Sequence, residues 1–237
     1  MIKCVVHDSK KYQMEFTEDQ TEWAGKWDKP VMYYEVIGTC RTMSERQLRK
    51  ALNYSMTTWD LEIPITFKPV WHRGNRTQKP DITIDFKSSS EDKLFKDSPS
   101  VLAYAYFPEQ GSVSGKVVFN NDYIWDFIGR GIKAKDALKK GWITGTNNPE
   151  NTIKTYSVVA VLIHELGHSL GLRHDVSGNN DGIDVMDAIY SGKNRLELSV
   201  RDIYRIVKKY GNRIYSRWSH YARLKKAIKR AKLRLYV

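Results

Sequence analysis

Residues 164–174 read HELGHSLGLRH, and this run constrains the chain more than any other. Four residues in a helix return a side chain to nearly the same face, so His164 and His168 can aim ring nitrogens at one zinc ion about 2.0–2.1 Å away. Glu165 falls beside the coordination position the two rings leave open. Gly171 lets the backbone turn sharply, which brings His174 round as a third imidazole and leaves water as the fourth ligand. Three neutral imidazoles leave the ion its full double charge, so bound water would be acidified from about 15.7 towards about 7 and a carbonyl polarised. Glu165 can accept the water proton and later deliver it to a leaving amine. The run therefore implies peptide-bond hydrolysis without a covalent intermediate, with Glu165 as general base and then general acid.

The remaining pattern is that of a mixed α/β sheet. PVMYYEVI (Pro30–Ile37), ITFKPV (Ile65–Val70), DITIDF (Asp81–Phe86), VLAYAYF (Val101–Phe107) and GKVVFN (Gly115–Asn120) are rich in β-branched and aromatic residues and are bounded by turn formers, which predicts five strands. Ser44 with Gln47 forms a capping-box pattern ahead of Leu48, Ala51, Leu52, Ser55, Met56 and Trp59, which predicts a helix over Ser44–Trp59 that Pro64 bars from continuing. A second helix is expected from about Thr152 to Leu170 and a third over Ser199–Tyr210, ended by Gly171 and Gly211. Residues 87–100 read as loop, and 122–151 as a long, partly ordered connection with a helical turn at DALKK.

Composition decides less. Nine of the 39 Lys and Arg lie between Asn212 and Val237, a segment without Asp or Glu, so the rest of the chain carries 30 basic against 27 acidic residues. The net charge of +12 therefore belongs to the last segment and is no property of the body. That segment places Ile214, Trp218, Tyr221, Leu224, Ile228, Ala231 and Leu235 at helical steps among Lys and Arg. The pattern predicts a basic amphipathic helix suited to an anionic surface or nucleic acid, or to docking on the body. Cys4 and Cys40 make no disulfide framework. No apolar run is long enough to span a membrane, and Met1–Lys11 is too polar for a signal peptide. A monomer is expected.

The extended histidine run resembles that of the metzincin metallopeptidases, and DVMDAIY (Asp184–Tyr190) is similar to the methionine turn that this clan places beneath its metal. Within the clan the chain looks most like the matrixins, the matrix metalloproteinase catalytic domains. The likeness extends over Tyr33–Val36, Trp59, Thr66-Phe67, Asp81-Ile82, Leu102–Phe107 and Leu198–Gly211, about 180 residues in all. It implies a zinc-dependent endopeptidase with a twisted five-stranded mixed sheet, three main helices and a zinc cleft below the edge strand. Met186 would be the turn methionine, Tyr190 would border the specificity pocket, and Ala103, Tyr104 and Ala105 would pair with an extended peptide or protein substrate by β-augmentation. The resemblance also implies an extracellular protein. The organisation expected is an N-terminal extension (1–25), a catalytic domain (26–211) and the basic helix (212–237).

Departures from the matrixin pattern are equally specific. Tyr104 and Val118 stand where the family has histidines for a structural zinc, so one catalytic ion and no structural zinc is expected. Asn120, Asn121 and Asp122 match a carboxylate-rich calcium segment only in part. Asp175 follows the third histidine where matrix metalloproteinases usually have Ser and reprolysins have Asp. Lys3–Asp8 (KCVVHD) has a distant likeness to the cysteine-switch motif of matrix metalloproteinase propeptides, which makes Cys4 a candidate latency switch; a short N-terminal strand explains the same residues. A catalytically silent protein- or polyanion-binding module on the same fold is the alternative function. Glu165 separates the two, because a module kept for binding has no need of an acid/base carboxylate beside three ligands.

Overall fold

The computed structural model describes the backbone of residues 3–7 together with residues 24–70, 78–175, 184–188 and 196–213. In chain order the elements are β1 (Lys3–His7), β2 (Val31–Val36), α1 (Glu45–Asp60), β3 (Thr66–Pro69), β4 (Ile82–Lys87), α2 (Lys93–Asp97), β5 (Val101–Tyr106), β6 (Lys116–Asn120), β7 (Trp125–Asp126), β8 (Ile132–Lys133), α3 (Ala134–Lys139), β9 (Thr152–Ile153), β10 (Tyr156–Ser157), α4 (Val158–Ser169) and α5 (Val200–Tyr210). The main sheet has the order β1-β5-β6-β4-β2-β3. Its five expected strands, β2 to β6, are joined at the β5 edge by β1, so the sheet is six-stranded. All pairings are parallel except β5 with β6.

Helix α1 begins where the sequence places it. Ser44 Oγ accepts from Gln47 N, and the Gln47 side chain accepts from Ser44 N at 2.9 Å. Such a cap is worth about 1 kcal/mol. The buried stripe of Leu48, Ala51, Leu52, Ser55, Met56 and Trp59 faces α4, and Trp59 Nε1 donates to the Ile163 carbonyl at 3.0 Å, so the two helices are pinned together beneath the sheet. On its other side α4 packs on β5, through alternating core residues that include Ala103 and Ala105. Every residue of α4 is buried.

Three expectations need correction. Helix α4 starts at Val158, not near Thr152, because 152–153 and 156–157 are strand residues. Ile153 pairs with Ile132, Tyr156 pairs with Trp125, and the Ser157 hydroxyl then caps the helix by accepting from Ala160 N at 3.0 Å. The connection at 122–151 is accordingly built into two small ladders and α3. The Asp126 carboxylate accepts from the backbone of Ile128, Gly129 and Arg130 and from the Thr155 hydroxyl, and Arg41 reaches the Asn121, Asp122 and Trp142 carbonyls. Within 87–100 the short helix α2 appears, with Asp92 as its N-cap and Phe95 fully buried.

The ends of the domain close on the C-terminal end of α4. Gly171, at φ +89°, ends that helix, and a Cβ there would lie 2.4 Å from the Ala24 carbonyl oxygen. Ala24 N donates to the Gly171 carbonyl at 2.8 Å, Trp27 Nε1 to Ser169 at 2.7 Å and the Tyr210 hydroxyl to Leu170 at 2.9 Å, which satisfies helix-end carbonyls that have no partner within the helix. Arg213 is also part of the body: its guanidinium pairs with Asp60 at 2.7 Å and donates to the Ile63 carbonyl at 2.6 Å. The tail beyond it, 214–237, lies outside the described residues.

Candidate active site

His164 and His168 stand one turn apart near the end of α4, and His174 returns to them after the turn at Gly171. Their Nε2 atoms form a triangle with sides of 2.9, 3.2 and 3.3 Å. Among the described residues this is the one group of His, Cys, Asp or Glu whose ligand atoms converge as a metal requires. The Nδ1 atom of His164 lies 2.6 Å from the Val185 carbonyl oxygen and that of His168 lies 2.7 Å from Leu172. A carbonyl only accepts, so both rings carry their proton on Nδ1 and turn an Nε2 lone pair inward. Two lone pairs facing each other at 2.9 Å repel unless a cation lies between them. Three nitrogens on one tetrahedral ion at about 2.0–2.1 Å would stand about 3.3 Å apart, so the donor set and its spacing fit zinc.

The electrostatics agree with that use. Burial, reinforced by the neighbouring imidazoles and Arg205, holds His168 well below its ordinary value and His174 at about 3. Both rings are therefore neutral around pH 7, the state in which imidazole ligates a metal. Glu165 follows His164 in the same helix and is fully buried. Phe107, immediately after β5, packs edge-on against His168 with centroids 5.9 Å apart, which sets the histidines beside the end of that strand.

Met186 is fully buried beneath the helix. The reason is Gly167: a Cβ at that position would sit 2.3 Å from the Met186 sulfur and 3.1 Å from Trp59. Asp202 fixes the turn itself. Its buried carboxylate completes the α5 capping box with Ser199 and accepts from the backbone N–H of Val185 at 2.8 Å and Met186 at 3.3 Å. The S-x-x-D pattern at Ser199–Asp202 announces a cap, but its second task on the turn at Val185–Met186 depends on tertiary contact.

The other expected positions divide. Ala103 and Ala105 turn into the core towards α4, while the Tyr104 ring packs with Phe95, Val101 and Val118 on the opposite face and its hydroxyl donates to Asp92 at 2.7 Å. The position matching a structural zinc thus holds an apolar cluster. Asn121 Oδ1 accepts from Arg41 N, Asn120 Oδ1 from Asp122 N, and Asp122 Oδ2 from Ser89 N, so these oxygens brace the loop. Cys4 enters through its backbone in β1, and Tyr190 lies outside the described residues. No helix among the described residues is long and apolar enough to cross a membrane.

The Matrixin family model matches residues 26–211, well over half of the chain. Cat matrilysin is 31% identical over 196 residues, covering 81% of this chain and 62% of its own length. Human matrix metalloproteinase-25 is 29% identical over 170 residues, 70% of this chain and 25% of its own, and human matrix metalloproteinase-16 is 27% identical over 218 residues, 88% and 32%. The chain therefore spans from a quarter to about three-fifths of the length of these relatives. With its histidine triad and a family match that runs from just before β2 to the end of α5, this chain belongs to the matrixin family.

Proposed function

We propose that the protein is a zinc-dependent endopeptidase in which His164, His168 and His174 hold one ion and Glu165 moves the proton. The observation that carries the reading is the inward-facing Nε2 triangle, two of whose corners have their tautomer fixed by backbone carbonyls. Zinc bound there supplies a Lewis acid that polarises the scissile carbonyl and acidifies water. The chain's own residues do the rest. Glu165 takes one proton from the attacking water as its oxygen bonds to the carbonyl carbon, then gives that proton to the amide nitrogen as the C–N bond breaks, leaving a carboxylic acid and an amine. Met186, held by Asp202 and by the notch at Gly167, supports the histidines from below. Phe107 keeps the His168 ring edge-on.

The test is hydrolysis of a quenched fluorescent peptide library by the purified protein, with chelator and then zinc. Cleavage that is lost to the chelator and restored by the metal is expected. A zinc-loaded protein that cleaves nothing, even without its N-terminal segment, would instead favour a silent binding module.

The substrate-binding edge and latency are linked in this reading. Strand β1 lies parallel along the outer edge of β5, with Val5 opposite Tyr104 and Val6 opposite Ala105. An extended substrate adding to that edge needs the same backbone groups, so strand and substrate compete. The arrangement supports a latent form in which Lys3–His7 occlude the edge; in that form Cys4 would be the residue to supply a thiolate to the metal. Starting the chain at Ala24 should raise kcat/KM for a peptide at least tenfold, and Cys4→Ala alone should raise it less. Equal rates for parent and truncated protein would rule the latent form out.

A further inference from the structure

We infer that Arg201 and Arg205 of α5 form a clamp whose task is to position His174, the third metal ligand; the inference rests on the histidine triad being the zinc site. The first two ligands are held by helix α4 itself and by their Nδ1 bonds. Among the described residues His174 has neither kind of support: the chain leaves the helix at Gly171, and residues 173–175 belong to no helix or strand. Its place has to be set by what grips the residues on either side of it.

Both neighbours are gripped from one helix. Arg205 Nη2 donates to the Arg173 carbonyl at 2.8 Å, just before the histidine. Arg201 Nε forms an ion pair with the Asp175 carboxylate, just after it. Residues four apart on a helix lie one above the other on one face, so the two guanidiniums span a stretch of about 5–6 Å, close to the reach of the three-residue segment they bracket. The Asp175 backbone N–H donates in turn to the Met186 carbonyl at 3.0 Å, and Asp202, between the two arginines in sequence, holds the N–H groups of Val185 and Met186. One and a half turns of α5 thus fix the His174 segment and the methionine turn relative to each other.

The residue types suit a rigid device. Arg205 is buried, with 4% of its surface exposed, and the Asp175 side chain is exposed by only 6%. A guanidinium offers donors in a fixed planar fork, whereas an ammonium on a flexible stem fixes position far less well. An aspartate directly after the third histidine and an arginine at the second position of α5 form one unit that neither residue explains alone. Outer partners of metal ligands commonly change metal affinity about 10–100-fold when removed, and this clamp acts one step further out, through the backbone of its ligand.

The test uses the full chain and reads zinc, not turnover. Zinc release into excess chelator is followed for the parent, Arg201→Gln, Asp175→Asn and the double variant, alongside the thermal midpoint of each metal-free protein. The pair at 201 and 175 is chosen because Arg201 is half exposed, so its loss spares the core. Each single variant should release zinc about tenfold faster, the double variant no faster than the singles, and Arg201→Lys should fall between parent and Arg201→Gln. Metal-free midpoints should stay together, and the visible spectrum of the cobalt-substituted variants should shift, reporting altered ligand geometry. Release rates equal to the parent's, or losses that add in the double variant, overturn the clamp. So does faster release matched by an equal fall in the metal-free midpoint, which is a general loss of structure. A parent that holds no zinc overturns the ligand assignment and the clamp with it, whereas a parent that holds zinc beside unaltered variants overturns the clamp alone.

Discussion

Glu165→Gln is expected to keep its zinc and to lose peptide hydrolysis by about a hundred- to ten-thousandfold in kcat/KM, the range associated with a positioned acid/base group. The substitution preserves size and polarity in a fully buried position, so the helix should tolerate it. What disappears is the capacity to accept a proton: a carboxamide has no basic oxygen at neutral pH. A loss of this size corresponds to roughly 3–5 kcal/mol of transition-state stabilisation. Metal content, measured on the same sample, separates the chemistry from the binding. Near-parental turnover by the zinc-loaded Glu165→Gln variant would show that another group transfers the proton.

Asp202→Ala should be the most damaging change outside the metal ligands. The carboxylate is 1% exposed and accepts from three backbone N–H groups, those of Ser199, Val185 and Met186. Its removal leaves these donors in a region that water does not reach, each at a cost of about 1–3 kcal/mol, partly relieved by relaxation. A loss of about 3–5 kcal/mol in unfolding free energy is expected in denaturant titration, with faster zinc release as the methionine turn loosens. Ser199→Ala removes the cap alone and should cost only about 1 kcal/mol. If the two variants were equally stable, the bond from α5 to the turn would contribute nothing beyond the cap.

The histidine cluster is legible in the sequence because its spacing is local. His164 and His168 are one helical turn apart, and Gly171 announces the bend that returns His174. Strands β2 to β6 and the caps at Ser44 and Ser199 are legible for the same reason, since each is written in adjacent residues. The start of α4 is not, because a run such as SVVAVLI reads equally as strand or helix, and only pairing with the distant Trp125–Asp126 fixes Tyr156–Ser157 as strand. Helix α2 escapes a reading by period because five residues are too few to show one, although Asp92 ahead of Lys-Leu-Phe is a readable cap. The notch at Gly167 and the hold of Arg201, Asp202 and Arg205 on the site depend on contacts between segments far apart in sequence, and no local pattern encodes them.

The closure of both domain ends on α4 gives the metal site a place in time as well as in space. The helix that carries His164 and His168 has its terminal carbonyls met by Ala24, Trp27 and Tyr210, and the carbonyl before His174 waits for Arg205. A chain emerging from the ribosome reaches the end of α4 about 40 residues before it reaches Tyr210, so the centre stays half-built until α5 has been made. Contacts of this span are slow to form. A chain assembled in this order completes its histidine cluster only once α5 has folded against it.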